Sequence, residues 1–116
     1  MDQKIIPFVK FEQIVMKKLL EQDTILNKMI MTQYENAQIE SREFTGVGFF
    51  TNFIIPENVP RITELVSYGY GSADCRINDI DGYGFILFIE DGILLCLEGY
   101  ACIDFWPKII NNFEFI

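Results

Sequence analysis

The stretch Tyr83-Gly84-Phe85-Ile86-Leu87-Phe88-Ile89-Glu90, Asp91-Gly92, Ile93-Leu94-Leu95-Cys96-Leu97-Glu98 decides the fold. Two apolar runs separated by Asp-Gly predict a hairpin with a two-residue type I′ turn, because Asp and Gly tolerate the positive φ that this turn needs. An uninterrupted ladder then sets the register. Ile89 faces Leu94, Leu87 faces Cys96 and Phe85 faces Glu98 on one side. Phe88 faces Leu95 and Ile86 faces Leu97 on the other. The second side is nearly all hydrocarbon and is expected to lie against helices. The first mixes apolar residues with Cys96 and Glu98 and runs on to Tyr83 and Tyr100. Apolar character on both sides marks central strands of a partly covered sheet, or a face that a partner covers.

Working outward, glycine divides the chain. All eight glycines lie after residue 45. Helix interiors exclude Gly, whereas turns and bulges use it. The sequence therefore reads as two N-terminal helices followed by strands, an α+β fold in which the helices pack on an antiparallel sheet of about five to six strands. The first helix is expected to start near Pro7 and to bury Phe8, Phe11, Val15 and Leu19, with Ile14 alongside. Lys10, Glu12, Lys17 and Lys18 fall on its wet side. Asp23 is the expected N-cap of the second helix, which carries Ile25 or Leu26, Met29, Ile30 and Tyr34. Further strands are predicted over 39–44, 47–55 and 73–78, with a turn at 79–82. A helical turn is predicted around 62–66, and a short last strand at Phe113-Glu114-Phe115. With 116 residues, the chain is read as one domain, 1–116.

Composition excludes several functions. There is no histidine, so Ser-His-Asp and Cys-His nucleophile systems and His-ligated zinc are absent. Cys75, Cys96 and Cys102 form no CxxC and read as reduced thiols, with no metal and no cofactor. Each Gly-x-Gly fails as a dinucleotide fingerprint, because the third glycine position holds Thr51, Asp74 or Leu87. Aligning Gly82 with the glycine of a calcium loop puts Ile77 and Phe88 at ligand positions, which rules that loop out. Glu90 and Glu98 fall on opposite sides and ends of the hairpin and cannot act as an acid–base pair. The net charge is −8, with nine basic and seventeen acidic residues, so nucleic acid is not the expected partner. The start of the chain has no leader pattern and no stretch is long enough to span a membrane, so a soluble cytoplasmic protein is expected.

The acidity is uneven. Residues 1–45 carry six basic and seven acidic side chains, and residues 46–116 carry three and ten. Asp79 and Asp81 lie in a solvated turn or form an acidic contact patch. Glu98 is expected among aromatics, paired with Arg42 or Arg76, or with a perturbed pKa. Tyr83 and Tyr100 have the polar-tipped aromatic character of core rim or of interface anchors.

Gly46-Val47-Gly48-Phe49-Phe50-Thr51, Gly82-Tyr83-Gly84-Phe85, Asp91-Gly92, Leu97-Glu98-Gly99-Tyr100 and Trp106-Pro107 resemble a group of small bacterial α+β proteins with a GxGFfT…GfxlFxxDGxLxxLEGY…WP pattern. In size and acidity the chain also resembles immunity proteins of bacterial toxin systems. That resemblance implies a non-enzymatic protein that neutralises a basic toxin domain. The acidic excess after residue 45 makes Asp79, Asp81 and Glu98, with the neighbouring Tyr83 and Tyr100, the expected contact residues. Two other functions fit the residues. One is a small-molecule-binding or enzymatic domain with its pocket near Glu98. The other is a homodimer that covers the mixed sheet face.

Overall fold

The computed structural model describes residues 4–64, 66–103 and 105–116. Residues 1–3, on which the reading of the chain start partly rests, and Leu65, within the expected helical turn, lie outside them.

Two helices, α1 (Phe8–Leu19) and α2 (Ile25–Asn36), precede the strands β1 (Gln38–Phe44), β2 (Gly48–Ile54), β3 (Gly69–Ile77), β4 (Ile80–Glu90), β5 (Ile93–Ala101) and β6 (Phe113–Phe115). The six strands form one antiparallel sheet in the order β1-β2-β5-β4-β3-β6, with the β4–β5 hairpin at its centre. Both helices lie on one face, α2 against β5 and α1 against β3 and β4. This is an α+β fold of helices packed on a sheet.

Pro7 precedes α1, where its fixed φ and missing N–H cost nothing. Lys17 and Lys18 occupy the last turn of α1, where positive charge complements the helix dipole. Thr24, not Asp23, caps α2. Its hydroxyl accepts a hydrogen bond from the Asn27 N–H at 3.0 Å, while Asp23 pairs with Lys28 at 2.9 Å. No helix forms at 62–64 or at Val66. That segment instead crosses the hairpin tip, where the Ile62 N–H donates to the Gly92 carbonyl at 3.0 Å.

The hairpin register departs from the expected one. Asp91 (φ 53°) and Gly92 (φ 73°) form the turn, and Ile89 pairs with Leu94 as predicted. A β-bulge follows: Phe88 pairs with Cys96, Leu87 with Leu97, Ile86 with Glu98 and Phe85 with Gly99, leaving Leu95 without a partner. A bulge inserts one residue into one strand and so changes which side chains face which way. Here it lets Leu94 and Leu97, three residues apart, both bury completely. The side expected to meet the helices is consequently the wrong one. Phe85, Leu87 and Ile89 pack into the core, while Ile86 and Phe88 face away from it. The next hairpin turns at Asn78 (φ 51°) and Asp79 (φ 65°), with Ile80 already paired to Ile77, so the turn is earlier and tighter than 79–82.

The core gathers Phe11, Val15, Met16 and Ile30 from the helices and Phe49, Phe85, Leu87 and Leu97 from the sheet. Trp106 joins it, with its ring 5.0 Å from Phe49 and 5.5 Å from Tyr83. Ile25 is exposed, and α2 buries Asn27 and Gln33 beside Ile30. Glu12, expected on the wet side of α1, is only 1% exposed. It accepts from Arg42 at 2.9 and 3.1 Å and from the Thr51 hydroxyl at 2.6 Å, which satisfies the buried carboxylate.

Candidate functional site

Alternation along the strands builds the sheet face opposite the helices. Phe49, Gly99, Phe85 and Ala73 form a row on the helix side. The next row, Glu43, Phe50, Glu98, Ile86 and Ser72, therefore faces the other way. Beside it run Ser41, Asn52, Cys96 and Phe88. On its other flank lie Tyr100 and Asp74, joined across Gly84. Among the described residues no helix lies on this face. Its centre is apolar (Phe50, Ile86, Phe88 and Cys96) and Glu98 stands in the middle.

Two features hold these side chains in place. A Cβ on Gly84 would collide with the Tyr100 ring, so the phenol lies flat over a glycine that makes room for it. The Asn52 amide donates to Ser41 at 3.0 Å and to Glu43 at 3.1 Å, fixing the β1 side of the face. At the far side, Arg76 pairs with Asp81 at 2.6 Å and with Glu114 at 3.8 Å.

Both guanidiniums expected for Glu98 are thus engaged elsewhere, Arg42 with Glu12 and Arg76 with Asp81 and Glu114. Among the described residues no cation pairs with Glu98, and burial raises its pKa above the ordinary carboxylate value. Burial, together with Asp74, Cys102 and Glu98, raises the Tyr100 phenol. Burial and the Glu98 charge push the Cys96 thiol up to about 11. At neutral pH Cys96 is therefore a thiol rather than a thiolate nucleophile.

The five sequence-predicted contact residues separate. Glu98 and Tyr100 share the open face. Asp81 reaches it through Arg76, and Asp79 lies in the adjoining turn. Tyr83 does not: it is 3% exposed on the helix side, and its hydroxyl donates to the Phe105 carbonyl at 3.2 Å. Nor does Glu98 share a face with Phe85, because the bulge puts the two on opposite sides. The reading missed Phe50, Ile86, Phe88 and Asp74, because it assigned the outward side of the hairpin to the core. The alternation Phe50, Asn52, Ile54 against Phe49, Thr51, Phe53 was the available signal for the 48–54 strand.

Among the described residues no three His, Cys, Asp or Glu side chains gather to hold a metal, and no helix is long and apolar enough to cross a membrane. What the face offers is an apolar patch with a carboxylate at its centre that no described cation neutralises, and further acids around it, an arrangement suited to holding a cationic surface. Comparison with protein-family models, curated proteins and solved structures gives no match for this chain.

Proposed function

We propose that this chain is a binding protein of the immunity type, which neutralises a basic bacterial toxin domain by covering it with the open sheet face. One observation carries the reading: on and around the apolar centre stand Glu43, Asp74, Asp81, Glu98 and Glu114, with Arg76 as the one cation among the described residues there. Lys10, Lys17 and Lys18 belong to α1 in the opposite layer. A cationic partner is thus steered to one side of the molecule, and the apolar centre then supplies contact that long-range charge alone does not. Two copies meeting through this face would bring like charges together, which disfavours a homodimer there.

The test is neutralisation in cells that co-express the chain with a basic toxin domain that it protects against. Glu98→Lys with Asp74→Lys is expected to abolish protection, and Tyr100→Ala to speed dissociation by an amount worth about 2 kcal/mol. Lys10→Glu with Lys17→Glu should leave protection intact. Protection that survives the first pair and fails with the second would place the interface on the helices and overturn the proposal.

A further inference from the structure

A groove of about 700 Å³ opens at the end of the sheet, apart from the face around Glu98. Its walls are the N-terminal segment at Ile5 and Ile6, Phe8 of α1, Phe44 of β1 and the segment 105–110. Backbone bonds fix these walls. The Ile6 N–H donates to the Ile110 carbonyl at 2.8 Å, and the Trp106 N–H donates to the Gly46 carbonyl at 2.9 Å. Trp106, locked against Phe49 and Tyr83, contributes a rigid surface. Phe8 meets Phe44 edge to face at 5.3 Å. Ile5 (61% exposed), Phe44 (58%) and Phe105 (74%) remain open to water around it. So much apolar surface concentrated at one fixed cleft marks a binding site rather than scattered surface residues, and the volume is that of a small-molecule site.

The charge at the groove selects among apolar ligands. Lys108 is the one charged side chain among its described lining residues, and no described carboxylate pairs with it. In a chain with seventeen acidic residues, a cleft with a lone ammonium and no described acid is a local reversal of sign. We infer that the groove binds a free single-chain carboxylic acid of the fatty-acid class. Its hydrocarbon tail lies along Phe44, Phe8 and Trp106, and its carboxylate meets Lys108.

Trp106 is the only tryptophan in the chain, so the groove carries its own reporter. Dodecanoate, kept below its micelle concentration, is titrated into the whole protein and followed by tryptophan fluorescence, with dodecanol as the uncharged comparator. The expected result is saturable one-to-one binding of dodecanoate, with dodecanol weaker by about tenfold or more. Lys108→Glu should lose that advantage and Lys108→Arg should keep it. Lys108 is exposed and pairs with no described carboxylate, so circular dichroism of both variants should match the parent. Absence of a saturable signal overturns the inference, as does equal binding of the acid and the alcohol, or indifference to Lys108→Glu. Binding to phosphatidylglycerol vesicles without binding of soluble dodecanoate would also overturn it, as would a dimer by light scattering that dodecanoate does not dissociate.

Discussion

Glu12 and Glu98 are carboxylates with opposite surroundings. Glu12 is buried with two hydrogen bonds from Arg42 and one from Thr51. Removing one partner of such a pair leaves an uncompensated charge, so Arg42→Ala is expected to cost about 3 kcal/mol in urea denaturation. The helix pattern concealed Glu12, because its charge suggested water. Its position beside Phe11 and one turn before Met16 placed it within the apolar stripe. Glu98 has no described cationic partner, and burial raises its folded pKa above the unfolded value of about 4.3. A carboxyl shifted this way favours the folded chain fully below the unfolded pKa, and that contribution is lost as pH rises through the folded pKa. Glu98→Gln should therefore be more stable than the parent at pH 7, with the difference vanishing below about pH 4 in urea midpoints. If the difference grows on acidification, the Glu98 carboxylate is instead stabilised in the fold.

The β4–β5 hairpin divides into a part legible in the sequence and a part that was not. Asp91-Gly92 announces its turn through the positive φ that both residues adopt. The bulge at Leu95 has no such signature. Register is dictated by sequence when one face is apolar and the other polar. Here Ile86, Phe88 and Leu95 are as apolar as Phe85, Leu87 and Leu94, so a shift of one residue left no trace in the pattern. The choice is made by packing: only the bulged ladder buries both Leu94 and Leu97 with Phe85 and Leu87. Helix α2 pins the tip of that hairpin. The Gln33 amide donates to the Pro60 and Gly92 carbonyls at 3.1 and 3.0 Å and accepts from the Leu94 N–H at 2.8 Å. Gln33→Leu keeps the volume but strands these buried groups, and should cost about 2 kcal/mol by denaturation. Amide exchange at Leu94 should accelerate more than at Leu87. An unchanged Leu94 rate would mean that Gln33 does not hold the turn.

At the scale of the molecule, the architecture followed from the glycine division and the helical and alternating periods. The make-up of the open face did not, because it rested on the hairpin register. With the bulge in place, the apolar residues on the uncovered side are Phe50, Ile86 and Phe88, and the acids around them come from five different strands: Glu43, Asp74, Asp81, Glu98 and Glu114. Sequence charge counts placed the excess after residue 45 but could not show that Asp74, Asp81, Glu98 and Glu114 come together with Glu43 on and around one sheet face. The central claim is that this layer, and not the helical one, receives a basic partner. Backbone amide shifts of the isotope-labelled protein, recorded as the toxin domain is added, test it most directly. The account predicts shifts concentrated at Phe50, Asp74, Ile86, Glu98 and Tyr100, with α1 and α2 little changed. Shifts concentrated on the helices around Lys10, Lys17 and Lys28, or no shifts at all, would contradict it.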